Sequence, residues 1–272
     1  MAPAGPIVTV ATICFDGFGD EDFAPTFASA SELGVRDIEF NAWYPRNLTP
    51  AGIARIVERC TTAGLRPAAL QVSAFAPGPE PHDLTREVSR WMWLLDAAQR
   101  LGVSVVKATG SARGERGGLD AVVALLREVA PAAQASGITI AIENHARNVI
   151  EFPEDYRRIF ADVESPAIGM CLDTGHFVAS GVDPLDIVDE FAARVVHVDL
   201  KDCTGAGGDF VRFGEGVVDF DTILSRVVAT GYTGHLVVEL PLVDRSTMIA
   251  DLTAGAVIAS RSAHPNHPPT EE

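Results

Sequence analysis

The chain has 272 residues, 47% of them hydrophobic and 21% charged, with a mean hydropathy of +0.17. That length holds one large domain or two small ones, and that composition buries a substantial core, which excludes a disordered chain. A formal charge of −16 repels phosphate backbones and anionic membrane surfaces, so neither nucleic acid nor membrane is an expected partner.

The elements follow in a regular order. Ile7–Ile13 and Arg36–Asn41 read as the first two strands. Thr49–Ala63 is amphipathic at helical spacing and stops at Gly64, a C-cap position, before a third strand, Arg66–Val72. Leu84–Leu101 stops at Gly102 ahead of Val103–Thr109, and Leu119–Ser136 stops at Gly137 ahead of Ile138–Glu143. Ile168–Asp173 and Arg194–Leu200 are the sixth and seventh strands; a helix over Phe220–Thr230 and Gly231 precede the eighth, His235–Glu239. The strand starts fall about 30 residues apart, the length of a βα unit. Arg261–Glu272, with three prolines and two histidines, has no apolar periodicity. It reads as a flexible tail beyond a domain spanning 1–260, rather than as a metal site at His264 and His267.

Cys14, Cys60, Cys171 and Cys203 show no C-x-x-C spacing and read as buried reduced thiols. The N-terminus lacks a basic region followed by an apolar one, and no apolar run approaches the roughly 18 residues needed to cross a bilayer. A cytoplasmic location is the expectation.

Eight strands alternating with helices admit a closed barrel or an open doubly wound sheet. The turn after the first strand, Asp16-Gly17-Phe18-Gly19-Asp20-Glu21, has the wrong spacing for a dinucleotide cradle and sets acidic groups toward any pyrophosphate. A single (β/α)8 barrel is the better fit. Such barrels collect their chemistry where strands end, and the last four strands end in Glu143-Asn144-His145, Asp173-Thr174-Gly175-His176, His197-Val198-Asp199-Leu200-Lys201 and Glu239.

Residues two apart on a strand share a face, so Glu143 points with His145, and His197 with Asp199 and Lys201. Facing the helices they would be buried without partners at severe cost; facing the axis they meet at the mouth. Glu143, Asp173, Asp199 and Glu239 then converge, and several carboxylates so close need protons or a cation among them. Oxygen donors favour Mg²⁺ or Mn²⁺, and nearby imidazole moves the preference toward Mn²⁺ or Co²⁺. Separate pairing of each carboxylate with a rim Arg or Lys suits one acidic strand end better than four in succession.

At these residues the sequence resembles the sugar phosphate isomerase/epimerase superfamily, the xylose-isomerase-like TIM barrels. The blocks are Ile-Ala-Ile-Glu143-Asn144-His145, Leu-Asp173-Thr-Gly-His176, Val-His197-Val-Asp199-Leu-Lys201-Asp202, Gly214-Glu215-Gly216-Val-Val-Asp219-Phe220 and Gly231-Tyr232-Thr-Gly234…Val-Val-Glu239. They appear in the family's order, and the resemblance runs from Ile7 to about Ala259.

The resemblance implies an isomerase or epimerase acting on a ketose or related α-hydroxyketone through a metal-stabilised enediolate. One divalent ion, Mn²⁺ or Mg²⁺ with Co²⁺ as a third option, would be held by Glu143, Asp173, Asp199 and Glu239. Asp199 departs from the family's usual His-x-His, and His197 is the other candidate on that strand. Glu143 and Glu239 would also carry the proton, and His176 would bond a substrate oxygen. His145, Lys201, His197, Lys107, Glu39 and Arg212 are further substrate-binding candidates, the last within a glycine-rich connection, Cys203 to Gly216, that suits a mobile lid. No glycine-rich phosphate cradle is visible. The second reading is a lyase of the same superfamily, dehydrating a keto-inositol or keto-sugar or cleaving a carbon glycoside. An endonuclease IV-like phosphodiesterase would need more histidines and less negative charge; a degenerate barrel acting only as a binding module is the non-enzymatic reading. The expected partner is a small sugar or polyol-derived ketone, with self-association of the chain left open.

Overall fold

The computed structural model describes residues 5–29, 32–240 and 246–263. The strands are β1 (Ile7–Ala11), β2 (Asp37–Asn41), β3 (Arg66–Gln71), β4 (Val105–Thr109), β5 (Thr139–Glu143), β6 (Ile168–Asp173) and β7 (Val195–Leu200). Two short strands follow, β8 (Asp202–Cys203) and β9 (Phe210–Val211), and then β10 (His235–Val238). All but β8 and β9 form one closed parallel barrel, in which β1 pairs with both β2 and β10. Closure leaves this sheet no unpaired edge.

Helices fill the connections where apolar periodicity and punctuation place them. Pro50, Pro81, Pro153 and Pro184 each open a helix at its first position, where the missing N–H costs nothing. Pro50–Ala63 and Pro81–Leu101 end at Gly64 (φ 68°) and Gly102 (φ 82°), both left-handed, a conformation that glycine adopts without steric cost. Helix Met248–Ala263 includes the first three residues of the expected tail. The rest of that segment, with His264 and His267, lies outside the described residues.

The main core lies between the sheet and its helices. Inside the barrel a separate plug is built from Ala69, Val105, Ala141 and Cys171. Two residues further along the same four strands, and so on the same face, come Gln71, Lys107, Glu143 and Asp173. The strand period therefore stacks a polar layer directly on an apolar floor. The four cysteines are free and buried, as expected, and none of the described helices is long and apolar enough to cross a membrane.

Candidate active site

The mouth holds the four predicted carboxylates, and two ammonium groups join them. Lys107 reaches in from β4, fully buried, with Nζ 2.5 Å from Asp199 Oδ2, 2.8 Å from Glu239 Oε2, 2.9 Å from Glu39 Oε1 and 3.9 Å from Glu143 Oε2. Lys201 Nζ lies 2.8 Å from Glu239 Oε1 and 3.0 Å from Asp173 Oδ2. The carboxylates are thus bound into one shared network rather than paired separately at the rim. Both oxygens of Glu239 accept an ammonium hydrogen bond.

Local sequence explains each position. Asp173 is the N-cap of helix Thr174–Ala179, its Oδ1 accepting from His176 N–H at 2.7 Å. Asn144 locks β5 to β6: its amide donates to Asp173 O and its Oδ1 accepts from Asp173 N–H. On the opposite side Thr12 donates to Asn41, Asn41 to Gln71, and Gln71 Nε2 to Glu143 Oε2 at 3.2 Å. Gln71, Asn41 and Asn144 belong to the site without being among the candidates that the sequence motifs mark. The available signal was an amide ending an apolar strand, as Asn41 ends β2 and Gln71 ends β3.

Burial and charge drive the two glutamates apart. Glu143 is desolvated more than Lys107 compensates, and its carboxyl is pushed well above the ordinary carboxylate range. Burial acts on Glu239 too, but Lys107 and Lys201 outweigh it and hold it below that range. Asp199 rises to about 7, chiefly by burial. Glu39 stays low because Lys107 and a hydrogen bond from His197 overcome its burial. Burial also lowers His145 and, further, His176, keeping both imidazoles neutral.

A cavity of about 250 Å³ opens above the network, with Glu143, His145, His176, Lys201 and Glu239 in its wall. Phe18 stacks on Trp43 at its rim, ring centroids 3.7 Å apart. Glu39, Lys107 and His197 lie beneath this cavity, fully buried, and His197 Nε2 props Glu39 Oε2 at 2.7 Å. Arg212 is turned to Asp251, at 2.5 Å, and does not line the cavity. The glycine-rich connection is pinned for most of its length: β8 pairs with β9, and buried Asp202 accepts backbone N–H groups from Cys203, Gly214, Gly216 and Val218.

The donor set suits a hard divalent cation. Five carboxylates face two ammoniums, Asp199 Oδ1 is buried with no hydrogen bond, and oxygens of Glu143 and Asp173 lie within 4.8 Å of each other and of a His176 nitrogen.

Comparison with known proteins agrees with this architecture. The rhizopine catabolism protein MocC of Rhizobium meliloti is 33% identical over 120 residues, 38% of this chain and 37% of that protein. The inosose dehydratase of Geobacillus thermodenitrificans is 28% identical over 137 residues, 44% of this chain and 46% of that protein. The chain thus spans less than half the length of these curated relatives. Among solved structures, an L-ribulose 3-epimerase superposes with a TM-score of 0.78 at 18% identity, covering 97% of this chain and 100% of that one. An IOLI protein with a bound zinc atom superposes at 0.71 and 17% identity, covering 95% and 97%. The family described as the xylose isomerase-like TIM barrel matches residues 27–257, and with its closed barrel and acidic mouth the chain belongs to that family.

Proposed function

We propose that the chain is a divalent-metal-dependent enzyme that removes a proton next to the carbonyl of a ketose or keto-polyol, and that elimination rather than epimerisation completes the turnover. The observation that carries the choice is the unequal hydrogen bonding of the two glutamates: both oxygens of Glu239 accept from buried ammoniums, whereas Glu143 accepts from the Gln71 amide. Epimerisation needs a proton carrier on each face of the substrate. Glu239, with both oxygens hydrogen-bonded to ammoniums, is held ionised and is a poor carrier. Glu143 lines the cavity and accepts from a neutral amide rather than an ammonium, so it is the carboxyl suited to move a proton. One carrier beside one fixed anion fits loss of a β-substituent.

Glu143 and Asp173 would hold the ion through their less committed oxygens, with Asp199 and Glu239, already shared with the lysines, closing the anionic ring. When bound, the ion supplies Lewis acidity toward the substrate carbonyl. Lys201 ties Glu239 in the cavity wall to Asp173, the Thr12–Asn41–Gln71 relay orients Glu143, and the Phe18–Trp43 stack forms part of the rim. The curated inosose dehydratases among the relatives support the elimination reading. Epimerisation is the second reading, favoured by Glu143 and Glu239 sharing one cavity wall. A panel of ketoses and keto-inositols, incubated with Mn²⁺ or Mg²⁺ in deuterated water, separates them. Elimination gives a product lighter by one water; epimerisation gives an isomer that has lost no water and carries one solvent deuterium. Absence of both with every substrate and ion would overturn the proposal.

A further inference from the structure

His145 and His176 lie against each other in the cavity wall, ring centroids 3.9 Å apart and planes tilted by 33°, and the backbone of Ala146 touches both rings. Ala146 N–H donates to His176 Nδ1 at 3.3 Å. Ala146 O lies 3.0 Å from His145 Nδ1. A backbone N–H only donates and a carbonyl oxygen only accepts, so the two contacts require opposite proton placements. His176 needs a lone pair on Nδ1 and carries its proton on Nε2. His145 needs its proton on Nδ1 and keeps a lone pair on Nε2. Neither Nε2 has a hydrogen-bond partner among the described residues, and both residues line the cavity.

The loop that carries Ala146 is fixed. His145 N–H donates to Ile150 O, Asn148 N–H to His145 O, and the Asn148 amide to Gly110 O at 2.7 Å. Arg147 sits in the left-handed region at φ 69°, an uncommon conformation for a non-glycine residue that turns the chain directly after Ala146. His176 and Phe210 pack edge to face, ring centroids 4.6 Å apart.

We propose that the Ala146 backbone polarises this histidine pair, so that the wall presents a hydrogen-bond acceptor, His145 Nε2, beside a donor, His176 Nε2–H, and selects a hydroxyl adjacent to a carbonyl. The selection rests on the keto-polyol reading above; the polarisation does not. An α-hydroxyketone satisfies both groups, its hydroxyl donating to His145 and its carbonyl accepting from His176. A deoxyketone leaves the acceptor of His145 unpaired, at the cost of an unsatisfied buried polar group. In this tautomer His176 has no lone pair for a cation, which leaves ion binding to the carboxylates. The Ala146 backbone acts as a positioning element: it fixes which imidazole gives and which receives.

Long-range ¹H–¹⁵N correlation spectra of the full ¹⁵N-labelled chain at neutral pH read the tautomers directly, with His145→Gln and His176→Gln supplying the assignments. The expected result is Nδ1–H for His145 and Nε2–H for His176, unchanged on adding Zn²⁺ as a diamagnetic ion. The same tautomer in both rings, averaging between tautomers in either, or transfer of the His176 proton to Nδ1 with Zn²⁺ overturns the inference. In kinetics, His176→Gln, which keeps a donor, is expected to lose under tenfold in kcat/KM, and His176→Leu about a hundredfold; equal losses count against it. Failure of every ketose to react would sink the functional reading and leave the tautomer assignment standing.

Discussion

Lys107 Nζ lies 2.5 Å from Asp199 Oδ2 with both side chains fully buried, so the carboxylate that β7 contributes to the mouth has its own counter-ion across the barrel. Removing one partner of a buried ion pair typically costs about 3–5 kcal/mol, because the other charge is stranded. Lys107→Met is therefore expected to lower the denaturant midpoint sharply, and adding Asp199→Asn to it should recover part of the loss. A Lys107→Met chain as stable as the wild type would show that the ammonium is not holding the ring together.

For turnover, Glu143→Gln should cost roughly 10²–10⁴-fold in kcat, the usual contribution of a positioned proton carrier, while leaving the melting temperature within a few degrees. Glu239→Gln is expected to abolish turnover too, but with a loss of stability, since Lys107 and Lys201 each lose a carboxylate oxygen. Thermal melts beside initial rates distinguish the two variants. Retained activity in both would remove these residues from the mechanism.

The pH dependence has a definite sign. Asp199 titrates at about 7 in the folded chain against 3.8 ordinarily. Its share of stability is full below the ordinary value and is lost as pH rises toward about 7. In the presence of a chelator, the melting temperature attributable to this group should fall between roughly pH 4 and 7. Asp199→Asn should flatten that slope, and identical profiles for the two proteins would refute the assignment.

Metal binding should register as stability. A ligand at a hundred times its Kd stabilises the state it binds by about 2.7 kcal/mol. Mn²⁺ or Mg²⁺ returned to chelator-treated protein should raise the melting temperature, and Glu143→Gln or Asp173→Asn should each remove most of that rise. An ion-independent melt in the wild type would exclude a resident divalent cation.

Much of this was legible in the chain, for reasons that also mark where legibility stopped. Gly64, Gly102 and the β-branched runs act locally, so the expected strands match the observed ones to within two residues at either end. Strand parity put Glu143, Asp173, Asp199 and Glu239 on the inward face. What Lys107 does is non-local: its partners are 68, 92 and 132 residues away in sequence, and only closure of the barrel brings Glu39, Asp199 and Glu239 around its nitrogen. Sequence alone made it a reader of substrate hydroxyls. Asp202 shows the same limit, since a glycine-rich segment reads as mobile until one buried carboxylate is seen to gather its backbone N–H groups.

Gly175 ties the Asp-Thr-Gly-His block to this geometry. A Cβ there would lie 2.8 Å from Lys201 O and 2.9 Å from Lys201 Cβ, closer than atoms pack, so the helix start can cross the end of β7 only without a side chain. Gly175→Ala must displace either the turn carrying Asp173 and His176 or the backbone carrying Lys201. Displacements near 1 Å cost on the order of 10²-fold when they misalign a site. We expect Gly175→Ala to lose about that much in kcat/KM and to weaken Mn²⁺ binding while the barrel still folds, as circular dichroism and isothermal titration would show. Wild-type activity in this variant would mean that the contact between Asp173 and Lys201 is not required by the site.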